Sequence, residues 1–352
     1  MRSQTVNKLT HTAAVAVTKP TQAVNSRRQS FRAKVTRGMI AAVGATAAIT
    51  GTVGMNVSSS TGATAQAQLP SLPGLPLNHV SIGSSQVGTS LAPRGCAPHI
   101  VVNVPGGANT AANLPETLPV GAYTAEVGSQ LRVNHPGKVV DRYASFSSIP
   151  GGAYSYEQTR TNGYQKARTL IAREAAHCPQ ATFSIIGYSM GSDIASRIVN
   201  DIAYGRGPIA ANRLDSAVMI ANPNRSAHGD VAQAGGAPRT DGAFGELKGG
   251  YGKLNDRVLE ICRRGDLVCD TPRSAAPLTK AFARSAILTG FSPWAQAKST
   301  IDRLDPREQA AFYAGIPNLI VGQGIHVNYQ AVNGSGLAVR YIDRHLGTAG
   351  ED

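Results

Sequence analysis

A serine stands between two glycines in residues 186–193, which read IGYSMGSD. The pattern G-x-S-x-G is typical of a sharp turn between a strand and a helix, which projects the serine hydroxyl outward as a nucleophile. The setting agrees, because residues 181–186 form a short apolar run and residues 193–199 carry apolar side chains at helical spacing. The start of such a helix offers N–H groups and a partial positive charge to an oxyanion. A serine in an ordinary turn is the alternative, and the flanking strand and helix favour Ser189 as a nucleophile.

A serine nucleophile needs a base to take its proton, and in this setting the histidine follows the acid along the chain. Three histidines lie beyond Ser189, namely His228, His326 and His345. We expect the base to be His326, because it follows the apolar residues 319–325 in a glycine-containing loop and precedes a helix. His228 comes before any acid-bearing loop, and His345 lies on a terminal helix.

The acid that orients the histidine should lie between Ser189 and His326, directly after a strand. Asp266 meets this condition, because it follows the predicted strand 257–262 and lies between Cys262 and Cys269. A loop closed by a disulfide would hold its carboxylate in one place. A simple turn aspartate after a glycine is the alternative.

Strands and helices alternate along residues 96–352 and position these three side chains. Strands are predicted at 100–104, 138–143, 181–186, 214–220 and 257–262, and helices near 121–131, 156–177 and 193–199. This alternation predicts a single α/β domain with a mostly parallel sheet covered by helices on both faces.

Two long segments interrupt the alternation. Residues 223–255 are rich in glycine and are predicted to form a loop. Residues 271–324 form an insertion with apolar helical stretches and the only tryptophan, Trp294. Either a lid over the site or a packed surface subdomain agrees with the pattern of this insertion.

The charge distribution argues against nucleic acid as a partner. The 352-residue chain has a formal net charge of +13, which by itself is typical of a nucleic-acid-binding protein. Eight of these positive charges fall in residues 1–67, which contain no acidic residue. The rest of the chain has no basic block and no interleaved aromatic residues, so the main support for nucleic-acid binding is lost.

Residues 1–67 are predicted to be a secretory leader. The basic start is followed by the weakly apolar run 39–57 and by the small-x-small pattern Ala65-Gln66-Ala67, which predicts cleavage near Gln68. An uncleaved membrane anchor is the alternative, and the choice between Sec and twin-arginine export stays open. Residues 68–95, rich in Pro, Gly and Ser, are predicted to form an extended arm.

Four cysteines in an exported chain indicate two disulfides. Four cysteines allow three connectivities. Cys262 and Cys269 are close enough to close a small loop, in which case Cys96 and Cys178 pair across a long one. A zinc site is disfavoured because no C-x-x-C pair occurs, and we expect neither a metal nor an organic cofactor.

Four motifs in order resemble the cutinase family of serine esterases, which are small α/β-hydrolases. They are Cys96 before the first strand, C-P-Q-A-T at 178–182 leading to G-Y-S-M-G, C-R-R-G-D-L-V-C at 262–269, and H-V-N-Y at 326–329. The resemblance covers roughly residues 96–346. It implies Ser189 as nucleophile, Asp266 as acid and His326 as base.

The resemblance also implies the disulfides and the oxyanion hole. It pairs Cys96 with Cys178 and Cys262 with Cys269. The oxyanion donors would be the N–H groups of Met190, where the family usually has glutamine, and of Gly107. In place of the family's A-R-G-(Ser/Thr), this chain has V-P-G-G at 104–107.

The long span between Cys269 and His326 is similar to that of cutinase-like lipases in the cell envelope of mycolic-acid-containing actinobacteria. These relatives include lipases, phospholipases, thioesterases and hydrolases of trehalose mycolates. The resemblance therefore implies an exported serine esterase or lipase that cleaves lipid esters of the cell envelope, with secretion or association with the envelope or membrane surface. Acyl transfer to a sugar hydroxyl by the same triad, and a non-catalytic scaffold that binds envelope lipid, are the alternatives.

Overall fold

The computed structural model describes residues 91–149, 154–226, 229–271, 302, 305–307, 309–310 and 321–347. All of them belong to one unit of the chain, Met55–Asp352. The predicted leader, most of the arm and most of the insertion 271–324 lie outside the described residues, as do Trp294 and His228.

Six parallel strands form one sheet in the order β2-β1-β3-β4-β6-β5. Almost all side chains of the four central strands, β1, β3, β4 and β6, are buried, as expected for a parallel sheet covered on both faces. The strands are β1 (His99–Val104), β2 (Val139–Tyr143), β3 (Thr182–Tyr188), β4 (Leu214–Ile220), β5 (Ala232–Ala234) and β6 (Val258–Ile261).

Within the described residues, two long helices cover each face of this sheet. Helices α1 (Thr124–Asn134) and α4 (Gly334–His345) pack on one face, and α2 (Tyr156–His177) and α3 (Met190–Ala203) pack on the other. Alternate residues of β1 feed the two cores, because successive side chains of a strand point to opposite faces. Ile100, Val102 and Val104 join the α2–α3 core, whereas Val101 joins the α1–α4 core. The predicted α/β sheet with helices on both faces is confirmed.

One prediction about the chain between β4 and β6 is wrong. Residues 223–255 were expected to be a loop throughout, but Ala232–Ala234 form β5, which pairs with β6 at the sheet edge. The segment Ala-Gln-Ala has no β-branched or aromatic residue, so nothing in its composition predicts a strand.

Two disulfides tie the fold, with the connectivity that the resemblance implied. Cys96 is bonded to Cys178, which joins the residue before β1 to the end of α2. Cys262 is bonded to Cys269 and closes a loop directly after β6. Within the described residues, no helix is both long and apolar enough to cross a bilayer.

Candidate active site

Ser189 occupies a strained turn between β3 and α3. Its φ of 55° and ψ of −120° lie in a region that a non-glycine residue rarely adopts. The turn is tight because the main chain packs closely on both sides of it. A Cβ atom on Gly191 would collide with the carbonyl oxygen of Val104, and one on Gly187 would collide with the main chain of Gly191. The two glycines therefore allow the backbone to present the hydroxyl of Ser189 at the carboxyl edge of the sheet.

A continuous chain of hydrogen bonds links the three predicted catalytic side chains. The Ser189 Oγ atom lies 2.8 Å from Nε2 of His326. The Nδ1 atom of His326 lies 3.0 and 3.1 Å from the two carboxylate oxygens of Asp266. The imidazole is 15% exposed, whereas the Asp266 side chain is fully buried. This geometry allows a proton to move from serine to histidine while the acid orients the ring.

Asp266 is held by donors on both of its oxygens. The Tyr329 hydroxyl donates to Oδ2 at 2.7 Å, and the Val268 N–H donates to Oδ1 at 2.9 Å. Burial raises the pKa of Tyr329 well above its usual value, and the nearby Asp266 charge raises it further, so the phenol stays a donor. This tyrosine belongs to the H-V-N-Y motif, but the sequence alone indicates no role for it.

The segment that carries His326 is anchored through its main-chain carbonyls. The Tyr188 hydroxyl donates to the His326 carbonyl at 2.9 Å, and the Tyr123 hydroxyl lies 2.6 Å from the Val327 carbonyl. Arg263 donates to the carbonyls on either side, those of Ile325 and Asn328. The Tyr188 ring also stacks on the imidazole, with centroids 5.5 Å apart. His326, the predicted base, is thus positioned by side chains from elsewhere in the fold.

The prediction that His326 lies in a loop is wrong. Residues 321–326 are helical, and the chain leaves this turn after His326. Gly322, which suggested a loop, instead lets the helical turn approach the loop 262–269 that contains Asp266, which we call the acid loop. A Cβ on Gly322 would lie 2.7 Å from Cγ of Leu267. His345 is the last residue of α4, and its Nδ1 lies 2.7 Å from the Tyr341 carbonyl.

The two predicted oxyanion donors lie beside the serine turn. Met190 is the first residue of α3 and is buried. The loop that contains Gly107 packs against the turn, because a Cβ on the preceding Gly106 would lie 3.4 Å from Cβ of Ser189. The Gly107 carbonyl accepts from the Asn109 amide at 3.1 Å, which fixes the loop. In the part of the chain that is described, neither N–H donates to a protein acceptor.

Among the described ranges, one group of three potential ligands comes together, Cys96, His177 and Cys178. The two sulfur atoms of this group are bonded to each other, so they offer no thiolate to a metal.

The family model for cutinase matches residues 106–286, just over half of the chain. The chain belongs to the cutinase family. The matched region contains the serine turn and the acid loop but ends before His326. The place of the histidine in this member of the cutinase family therefore rests on the hydrogen bonds described above.

A curated relative supports the same family. The carboxylesterase Culp6 homologue of Corynebacterium glutamicum is 31% identical over 137 residues, which cover 34% of this chain and 44% of that protein. The match thus spans less than half of the relative's length.

Solved structures of related proteins align over longer stretches at lower identity. Lysin B from mycobacteriophage D29 is 16% identical, with a TM-score of 0.45, and the alignment covers 70% of this chain and all of the lysin. The catalytic core domain of acetyl xylan esterase from Trichoderma reesei is 19% identical, with a TM-score of 0.40, over 58% of this chain and 99% of the esterase.

Proposed function

We propose that this protein is a serine carboxylic ester hydrolase with Ser189 as nucleophile, His326 as base and Asp266 as acid. The observation that carries the proposal is the unbroken hydrogen-bond chain from Ser189 Oγ through both imidazole nitrogens to a buried carboxylate. Membership of the cutinase family agrees with it.

In the first half of the reaction, Ser189 Oγ attacks the ester carbonyl carbon while Nε2 of His326 takes the serine proton. Asp266 accepts the Nδ1–H hydrogen bond and stabilises the imidazolium. The carbonyl oxygen becomes an oxyanion, and the proposed donors to it are the N–H groups of Met190 and Gly107. The bond to the alcohol then breaks, the leaving oxygen takes the proton from His326, and an acyl enzyme remains on Ser189.

Water completes the reaction by the same route in reverse. His326 removes a proton from the water as it attacks the acyl carbon, and the second oxyanion occupies the same hole. The bond to Ser189 then breaks, and the histidine returns the proton to Oγ. The products are a carboxylic acid and an alcohol, and no metal or cofactor takes part in the steps.

The proposed substrate is a lipid ester, because apolar side chains are exposed next to the site. Val327, which directly follows His326, is 53% exposed, and Ile149 is 65% exposed. Ile149 follows Ser148, whose carbonyl accepts a hydrogen bond from the N–H of Ala108. Ala108 lies in the loop that contains Gly107. Exposed apolar side chains at these two places favour an acyl chain over a polar substrate.

The proposed location is outside the cytoplasm, with the substrate among the lipids of the cell envelope. Two disulfides are typical of an oxidising compartment. The leader-like residues 1–67 and the arm 68–95 precede the domain that begins near Cys96. Cell-envelope lipids are the proposed substrates because of the resemblance to the longer envelope-associated cutinase-like lipases.

The proposal is tested by covalent labelling with a fluorophosphonate, followed by peptide mapping. The wild-type protein should be labelled at Ser189, and Ser189→Ala should lose label and turnover of p-nitrophenyl esters by a factor of roughly 10⁴ to 10⁶. Ser196→Ala is the matched control and should keep both, because this serine is on the same helix and, among the described residues, its hydroxyl bonds only to the Asp193 carbonyl. A folded, disulfide-intact protein that takes no label, or a Ser189→Ala variant with wild-type turnover, would exclude the triad.

A further inference from the structure

A second concave surface lies away from Ser189, between α2, the carboxyl-terminal half of α3 and residues 247–249. It is open to solvent and has a volume of about 700 Å³, within the range of small-molecule sites. We call it the α2–α3 cavity. Arg197, the first α3 residue in its lining, lies two turns beyond Ser189, roughly 12 Å along the helix axis. The cavity is therefore separate from the proposed ester-cleaving site.

The lining of the α2–α3 cavity is strongly cationic. Four cations and one carboxylate contribute to it, namely Arg160, Arg197, Arg206, Lys248 and Asp201. The carboxylate is already engaged, because the Tyr164 hydroxyl donates to Oδ2 of Asp201 at 2.5 Å and Arg206 Nε donates to Oδ1 at 3.0 Å. Burial, together with the bond to Asp201, raises the pKa of Tyr164, so its phenol adds no negative charge. Arg197 pairs with the buried Asp193, and Arg160 lies 3.4 Å from Glu157, so within the described residues Lys248 is the one lining cation without an ion pair. Its ammonium group and the unused N–H groups of the paired arginines remain for a ligand.

One of these cations, Arg197, is held in place before any ligand arrives. Arg197 donates through Nε to the fully buried Asp193 at 2.7 Å. Within the described residues, the two terminal nitrogens of Arg197 donate to no protein acceptor. A guanidinium fixed through Nε presents its terminal N–H groups as a fork, which matches the oxygens of a phosphate. Because the side chain is already ordered, binding costs little conformational entropy.

The wall of the α2–α3 cavity is also preformed and contains an aromatic face. Tyr204 donates to the Gly249 carbonyl at 2.7 Å, and the Asn200 amide donates to the Lys248 carbonyl at 3.2 Å, which fastens residues 247–249 to α3. The Arg206 guanidinium lies 5.4 Å from the centre of the Tyr204 ring. That ring is 46% exposed. It offers an apolar face to a small ring, and the exposed Thr161 offers a hydroxyl to polar groups.

We propose that the α2–α3 cavity binds a phosphorylated sugar or polyol, either free or as the head group of a lipid. The arginines and Lys248 receive the phosphate, the tyrosine ring packs against the face of the sugar, and Thr161 bonds to its hydroxyl groups. This binding is independent of ester cleavage, because no residue of the cavity belongs to the triad or the oxyanion hole.

The test measures binding of inositol monophosphate by calorimetry and of phosphatidylcholine vesicles containing phosphatidylinositol by co-sedimentation. The variant Arg160→Gln with Lys248→Gln removes two surface cations and leaves the buried Asp193 paired. We expect wild-type protein to bind at least one probe saturably, and the variant to bind it about tenfold more weakly, since two charge-assisted contacts are lost. Arg94→Gln with Lys138→Gln removes the same charge from exposed positions outside the cavity and should bind as the wild type does.

Binding of the free phosphate supports a soluble ligand, and binding of the vesicles alone supports a lipid head group. The proposal is overturned if neither probe binds, if unphosphorylated inositol binds as tightly as the phosphate, or if the control pair loses as much affinity as the cavity pair. Hydrolysis of a short soluble ester should be unchanged in both double variants. That readout separates a failure of this proposal from a failure of the proposed esterase.

Discussion

Glu260 gives the stability of this protein a pH dependence that a single substitution should remove. It lies on β6 with its side chain fully buried, between Met219 of β4 and Gln233 of β5. Its Oε1 accepts from the Tyr251 hydroxyl at 2.8 Å and from the Asn222 amide at 3.0 Å. Burial raises the pKa of Glu260 to about 7, although both hydrogen bonds lower it in part.

The sign follows from proton binding. Between its usual pKa of 4.5 and about 7, Glu260 is protonated in the folded protein and ionised in the unfolded chain. Its contribution to stability is therefore fully present below pH 4.5 and is lost as the pH rises to about 7. Each pH unit in this interval weakens the folded state by about 1.4 kcal/mol, so the whole interval costs on the order of 3 kcal/mol.

Glu260→Gln keeps the acceptor oxygen and the shape but cannot ionise. We expect its free energy of unfolding, measured by urea denaturation with disulfides intact, to exceed that of the wild type by an amount that grows across this pH interval to about 3 kcal/mol. Glu157→Gln removes the same charge from the surface. The difference in the free energy of unfolding between this variant and the wild type should not change across the same pH interval. Parallel stability curves for Glu260→Gln and wild type would refute the reasoning, since they would mean that the buried carboxyl ionises as easily as in the unfolded chain.

Three further results are expected. Tyr329→Phe removes a donor to the Asp266 carboxylate, and steady-state kinetics should show kcat lowered roughly 10- to 100-fold with KM retained; an unchanged kcat would mean that the remaining bonds suffice. Reduction of the Cys262–Cys269 disulfide should lower ester turnover in proportion to the thiols released, and a reduced enzyme of full activity would show that packing alone holds the acid loop. For Asp215, burial raises the pKa, but hydrogen bonds from a histidine, a threonine and a glycine N–H outweigh it and lower the pKa below 3.8. This stabilisation is present above pH 3.8 and is lost as the pH falls through the lowered pKa, so Asp215→Asn should flatten acid unfolding followed by circular dichroism. An acid transition identical to that of the wild type would contradict the last expectation.

The strained turn at Ser189 could be predicted from the sequence because every requirement of that turn is local. Ser189, its two glycines, the preceding strand and the following helix are contiguous, so their pattern can be recognised without the fold. The parallel sheet could be predicted for a similar reason, since strands buried on both faces are continuous apolar runs. Asp266 and His326 lie far apart in the chain, and they were singled out by their order, by their places after apolar segments and by the family motifs.

The parts that the sequence did not predict depend on distant contacts. Nothing near Tyr329 indicates that its hydroxyl reaches Asp266, because that contact spans 63 residues. Ala232–Ala234 becomes a strand only because β6 offers an unpaired edge. The glycines near His326 suggested a loop, although Gly322 is needed for the close approach of a helical turn to Leu267. In each case the deciding contact lies in another element.

The way in which the His326 segment is anchored determines which substitutions should move the imidazole and which should not. Tyr123, Tyr188 and Arg263 grip carbonyl oxygens, which every amino acid supplies. Substitutions of the side chains next to His326 should therefore leave the imidazole in place, and the exposed Val327 can be replaced without loss of these carbonyl contacts. The position of the imidazole depends instead on Tyr123, Tyr188 and Arg263. A substitution at any of these three distant residues should displace His326, although none of them is one of the three predicted catalytic residues.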